Sequence, residues 1–394
     1  MTRIDSIMAK LFMFMFSITI ACIIIEVGAN FYLWNVASPD QFNTFASINQ
    51  FKQRYGQDFL VNDNDQKEFL AFVPHQYIGF IPAPNYRAEG NYHSSLGFRG
   101  DEIETPKPDG TYRIVSIGGS TTYGTAVTNP KDTYPAQLQE YLRSNGYENV
   151  EVVNAGVGSY TSWESLMNLQ FRVLDIEPDL IIIYHAINDA HARVVYPYEA
   201  YRGDNSGYRL PFIQDTIMPE IWEYSTALRT LGIMMRWTNP HNSLEWTRLR
   251  TAPTNYRELY NSLINSNTYP QGIFQEVPIE DMVANNPPIY FYQNMKSMAL
   301  MAKGYGADVM FSSFAYDPAS NYPTVSQPPY IQMLEEHNAI SQQVAEETDS
   351  YFYDLIPNMP LGEEYFADGR HMTKEGNRVR AQLFGDFIIN TIFN

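Results

Sequence analysis

The chain has 394 residues, 44% of them hydrophobic, which is enough for one large domain or two modest ones with a sizeable core. Its formal charge of −18 argues against nucleic acid as a partner, because phosphates would be repelled. A single cysteine, Cys22, excludes an intrachain disulfide and a cysteine-built metal centre.

Residues 11–25 form an uncharged run, L-F-M-F-M-F-S-I-T-I-A-C-I-I-I, preceded by Arg3 and Lys10. A positive flank followed by an apolar run marks a signal peptide or an N-terminal anchor. The run falls short of the roughly 20 residues of a full span. Continued to Trp34 it is long enough, at the cost of including Glu26 and Asn30. Val27-Gly28-Ala29 offers a small-residue cleavage site, but Phe31, Tyr32, Leu33 and Trp34 continue like an interfacial belt. The reading is an uncleaved anchor over residues 1–35, with the bulk of the chain outside the cytoplasm, in the periplasm or at the cell surface. Residues 36–112 read as an irregular lead-in that closes at Leu96-Gly97-Phe98-Arg99-Gly100.

From Arg113 strand and helix signals alternate. Residues 113–117, 150–153 and 180–184 are short runs rich in Val and Ile, the mark of strands buried on both faces. Residues 308–311 and 351–354 supply two more. Helices are expected over about 135–145, 288–305 and 330–347, and from the N-cap Thr373 toward Phe393. Repeated β-α units imply a parallel sheet with helices on both sides. The segment 190–286 breaks the rhythm. It is rich in Tyr, Trp, Asn and Pro, with a helical stretch at 227–237, and reads as an insertion over the carboxyl edge of the sheet. The domain proper is then 113–394.

Four places carry chemistry. Gly118-Gly119-Ser120 ends the first strand, where glycines admit backbone conformations closed to other residues and a serine can stand as nucleophile. Asn154-Ala155-Gly156-Val157-Gly158-Ser159 follows the second strand and can aim a backbone N–H at an oxyanion. Asn188, after the third strand, can point its amide at the same oxygen. Asp368 and His371, three apart just before the last helix, let the carboxylate hold one imidazole nitrogen and free the other for a serine hydroxyl. Each place alone is matched by an ordinary turn or cap. Together they supply a nucleophile, a base, an orienter and oxyanion donors at one end of a sheet. No G-x-S-x-G elbow occurs, so the α/β-hydrolase alternative lacks its own signature.

On these residues the chain resembles the SGNH hydrolases, also called GDSL-type esterases and lipases, over residues 96–392 outside the insertion. The resemblance implies a three-layer α/β/α sandwich of flavodoxin-like type, with a central parallel sheet of about five strands. It implies Ser120 as nucleophile, with Gly119 where the family usually has Asp. It implies oxyanion donors at Ser120, Ser159 and Asn188, with Gly158 taking the place of Ser159 if the alignment shifts by one. Ala186 stands where the third block has glycine, and Asp368 and His371 are intact. The anchored N-terminus followed by the G-F-R-G stretch also looks like the membrane-attached bacterial members.

Both lines lead to acyl-ester hydrolysis without a cofactor, with activity rising as His371 loses its proton. The expected substrate is a small acyl ester or an acylated glycan, with O-acetyl groups foremost. A lipid ester or thioester, or acyl transfer to a sugar, uses the same triad. A catalytically dead surface-binding protein is the alternative of another class, and the intact Ser, His and Asp argue against it. A metal set of His185, Asp189, His191 and His371 is a third reading, which sequence spacing alone does not position.

Overall fold

In the computed structural model, residues 3–55, 71–75, 77–88, 90–194, 198, 201–204, 221–238, 240 and 278–393 are described. They fall into two compact units, one drawn from 1–66 and 214–261 and the other from 67–213 and 262–394.

The larger unit begins with two antiparallel ribbons, β1 (Phe72–His75) with β2 (Gly79–Pro82), and β3 (Arg87–Ala88) with β4 (Asn91–Tyr92). The expected irregular lead-in therefore carries short ordered pairs. Then come the strands of the main sheet: β5 (Tyr112–Gly118), β6 (Val150–Asn154), β7 (Leu180–Tyr184), β8 (Asp308–Ser312) and β9 (Tyr351–Tyr353). Their order is β6-β5-β7-β8-β9, and every neighbouring pair is parallel.

Successive side chains on a strand point to opposite faces, and here both faces are covered. On β7, Leu180, Ile182 and Tyr184 enter one core while Ile181 and Ile183 enter the other. Helices Tyr134–Ser144 and Lys374–Phe387 close the first face through Leu138, Leu142, Ala381 and Phe384. Helix Ile289–Gly304 closes the second through Phe291, Met295 and Met298. This is the three-layer α/β/α sandwich expected. Helix boundaries follow local chemistry. Pro135 sits in the first turn of its helix, where its missing N–H costs nothing. The Thr373 hydroxyl accepts from the Gly376 N–H at 3.1 Å and starts the last helix.

The chain leaves β5 for β6 on one side and returns across it to β7. Their carboxyl ends form the switch-point crevice where open α/β sheets place ligands.

The smaller unit holds the 33-residue helix Arg3–Asn35, helices Pro39–Phe45 and Ile48–Tyr55, and helix Thr226–Met234. Residues 9–35 are long and apolar enough to cross a membrane. The stretch read as helical at 227–237 is helix Thr226–Met234, which ends three residues sooner than expected, in a turn at Met235 and Arg236. Most of the expected insertion at 190–286 lies outside the described residues.

Candidate active site

Strand β5 ends at Gly118, and a single helical turn, Ser120–Tyr123, begins immediately after Gly119. Neither glycine takes a positive φ, and Gly119 sits at −83°. The expectation that these glycines supply unusual backbone angles is therefore corrected: close packing requires them. A Cβ on Gly118 would come within 2.1 Å of Thr122 Oγ1 and 2.7 Å of the Tyr184 carbonyl. One on Gly119 would come within 2.7 Å of Asn188 Nδ2. The bare backbone lets the β7 loop press against the turn that carries Ser120.

The Asp-His segment is a tight turn pinned at its base by the Ala367 N–H, which donates to the His371 carbonyl at 2.8 Å. Asp368 Oδ1 accepts from the backbone N–H of His371 at 2.8 Å and of Arg370 at 3.2 Å. Its Oδ2 lies 2.7 Å from His371 Nδ1. With the Nδ1 proton held there, Nε2 is left to accept, and it lies 2.7 Å from Ser120 Oγ. Burial works against the Asp368 charge, but the hydrogen bonds and charge of His371, with Arg370 beside it, hold its carboxyl well below the usual carboxylate range. The side chains of His371 and Asp368 remain 15% and 17% exposed, so the constellation is reachable from solvent. A serine hydroxyl, an imidazole and a carboxylate in this sequence can generate an alkoxide-like nucleophile.

The loops after β6 and β7 both reach Gly119, where an added Cβ would lie 3.3 Å from the Tyr160 carbonyl and 2.7 Å from Asn188 Nδ2. Ser159 adopts φ +67°, in the left-handed region that favours glycine. The conformation of a glycine is therefore kept at Ser159, while Gly158 has open space around its Cα. Asn188 Nδ2 donates to the Tyr160 carbonyl at 2.8 Å, which fixes the amide against Gly119 and leaves it a second hydrogen. Asp189 ties the same two loops together by accepting from the Ser162 N–H at 3.0 Å and the Ser162 hydroxyl at 2.5 Å. Burial pushes the Asp189 carboxyl up to about 7 despite those donors. Asn154 Nδ2 donates to the Thr122 carbonyl at 3.0 Å, and its Oδ1 accepts from the Gly156 N–H at 3.0 Å.

Two buried arginines that sequence reasoning did not single out as functional support this end of the sheet. Arg99, from the G-F-R-G stretch, donates to the carbonyls of Tyr123, Gly124, Val127 and Thr128 at 2.6–2.8 Å. Its guanidinium stacks 4.3 Å from the Tyr123 ring. It clamps the chain leaving the Ser120 turn. Arg380, in the last helix, donates to the Thr121 carbonyl at 2.8 Å and lies 3.8 Å over the Tyr134 ring.

Of the residues weighed as a metal set, His185 Nδ1 and Asp189 Oδ2 lie 3.8 Å apart, while His191 and His371 are engaged elsewhere. His185 shares a hydrogen with the Ser165 hydroxyl at 2.8 Å, and burial lowers its pKa to about 3. His191 meets the edge of Tyr330 at 5.4 Å between ring centres. Among the described residues no three His, Cys, Asp or Glu side chains converge on a point that could hold an ion.

The GDSL-like lipase/acylhydrolase family matches residues 116–379, a span that includes Ser120, Asn188, Asp368 and His371. A search of curated proteins found no match. Solved structures with a similar course include a GDSL-like lipase from Bacteroides thetaiotaomicron, at 16% identity over 71% of this chain and 88% of that one, with a TM-score of 0.37. A variant of an acetyl xylan esterase from Geobacillus stearothermophilus is 16% identical over 69% of this chain and 92% of that one, with a TM-score of 0.40. An alpha/beta hydrolase enzyme from the metagenome of Lake Arreo is 13% identical over 69% and 93%, also with a TM-score of 0.40.

Proposed function

The chain belongs to the GDSL-like lipase/acylhydrolase family, and from that premise we propose that it hydrolyses short acyl esters, O-acetyl groups on glycans foremost, through Ser120, His371 and Asp368. The observation that carries this reading is the unbroken hydrogen-bonded line from Ser120 Oγ to His371 Nε2 and from His371 Nδ1 to Asp368 Oδ2, 2.7 Å at each step. His371 takes the Ser120 proton as the oxygen attacks the ester carbonyl, and Asp368 stabilises the imidazolium that forms. The backbone N–H groups of Ser120 and Ser159, with the Asn188 amide, receive the negative charge on the carbonyl oxygen. His371 then gives its proton to the departing alcohol, and water completes hydrolysis by the reverse route.

The space beside Ser120 is lined among others by Tyr184, Ile187, Asn188 and Phe314. The uncleaved N-terminal helix, with Lys10 on its inner flank, anchors the enzyme and leaves the catalytic unit outside the cytoplasm. Purified full-length protein should release acetate from acetylated oligosaccharides and cleave p-nitrophenyl acetate much faster than the palmitate ester. Ser120→Ala should abolish both reactions with the melting temperature unchanged. A Ser120→Ala variant of full activity overturns the mechanism, and a preference for the long chain overturns the substrate class.

A further inference from the structure

Helix Thr226–Met234 is built inside out. Thr226, Arg229 and Gly232, one stripe at helical spacing, are buried. Leu228, Leu231 and Met235, the stripe opposite, are 47%, 46% and 54% exposed, and Met234 is 69% exposed. Tyr224 and Trp237, at the two ends, are 76% and 61% exposed. A helix packed in water shows the reverse, with its apolar stripe turned to the core.

The buried polar stripe has dedicated partners on the N-terminal helix. Glu26, the one acid among residues 9–35, accepts from the Ser225 hydroxyl at 2.5 Å and from the backbone N–H groups of Thr226 at 2.8 Å and Ala227 at 3.1 Å. It therefore caps the helix that follows Ser225. The Thr226 hydroxyl donates to Asn30 Oδ1 at 3.1 Å, and Gln50 Nε2 donates to both Asn30 Oδ1 and Thr226 Oγ1, at 2.9 and 2.6 Å. Arg229 Nε donates to the Ala46 carbonyl at 3.0 Å. The N-terminal helix follows the same inverted plan: Glu26 and Asn30 turn inward, while Ile23, Ile24, Ile25 and Val27 are 56–65% exposed. Polar groups turned toward each other with apolar groups turned outward is the arrangement of helices in lipid.

We propose that helix Thr226–Met234 lies in the outer boundary of the phospholipid bilayer beside the anchor, with Leu228, Leu231 and Met235 in contact with acyl chains. The occupant follows from continuity: these side chains extend the exposed apolar surface of the helix to which Glu26 joins them. Depth agrees. Sixteen helical residues separate Lys10 from Glu26, about 24 Å at 1.5 Å per residue, so Glu26 comes near the outer edge of a hydrocarbon core of about 30 Å. Tyr224 and Trp237 then sit where aromatic residues gather at the headgroup level. The inference rests on the reading of residues 9–35 as a retained anchor, and it gives Glu26 and Asn30 a task that a cleaved leader would not have.

The test uses full-length protein in phosphatidylcholine/phosphatidylglycerol vesicles. Spin labels are placed at native Cys22 and, in a Cys22→Ser background, at Leu228→Cys, Leu231→Cys and Met235→Cys. Glu346→Cys, on an exposed helix face of the larger unit, is the water reference. Relaxation by oxygen relative to a water-soluble nickel chelate should rise several-fold over the reference at Cys22 and at all three helix positions. Lipid contact at Cys22 with water-like values at 228, 231 and 235 would overturn the inference while leaving the anchor intact. Water-like values at Cys22 would remove the anchor reading, and the inference with it.

Discussion

Around the sheet Ile181, Ile183 and Phe311 are fully buried and polar loops face solvent, whereas beside the N-terminal helix Thr226 and Arg229 are buried and Leu228, Leu231 and Met235 face outward. The first pattern is what water selects, since apolar area removed from it is worth about 25 cal/mol per Å². The second is stable only where the surroundings are themselves apolar, because there an unpaired polar group is the costly one. On the proposed placement in the bilayer, the two units are one chain written for two solvents.

Substitutions that should cost the catalytic unit dearly and the other unit little sharpen this contrast. Phe311→Ala empties a fully buried site on β8 and should lower stability by about 3–5 kcal/mol, read by denaturant unfolding. A loss below 1 kcal/mol would mean that the sheet face is not the tightly packed core described. Next comes Asn188→Ala, which removes an amide held against the nucleophile turn. It should cost about 10²–10³ in kcat with binding little changed. An unaltered kcat would remove Asn188 from the oxyanion wall.

A subtler effect concerns Asp189. Its folded pKa is raised from 3.8 to about 7, so between these values the folded chain holds a proton that the unfolded chain releases. Its contribution to stability is therefore complete below pH 3.8 and is lost as pH rises through about 7. Asp189→Asn should flatten that part of the stability–pH profile, as read by melting temperature from pH 4 to pH 8. An unchanged slope would mean that the carboxyl titrates normally. Smallest of all should be Leu231→Ser. In detergent it should move stability by no more than about 0.5 kcal/mol, as an outward position does. A loss of several kcal/mol would show that Leu231 is core after all and would end the inside-out description.

Much of the catalytic unit was legible in sequence because its signals are local. Short β-branched runs such as Leu180-Ile181-Ile182-Ile183 favour strands buried on both faces, and the three-residue spacing of Asp368 and His371 is one at which a carboxylate can reach an imidazole. What was not legible depended on distant backbone. The partners of Arg99 are carbonyls 24–29 residues further on, and nothing in Leu96–Gly100 announces them. Gly119 was expected for its backbone freedom, but it is required by an amide from residue 188. The short ribbons ahead of β5 escaped notice because strands of two to four residues are too short to establish a period. In helix Thr226–Met234 the periodicity was visible, but not its direction: period 3.6 states that two faces differ and is silent on which one is inside.

The proposed catalysis rests on the activation of one hydroxyl by one imidazole. Treated with a fluorophosphonate and analysed by peptide mass spectrometry, the wild-type protein should carry the phosphonyl adduct on Ser120. His371→Ala should react orders of magnitude more slowly under the same conditions. Ser120 left unmodified in the wild type, or modified at the same rate without the imidazole, would contradict it.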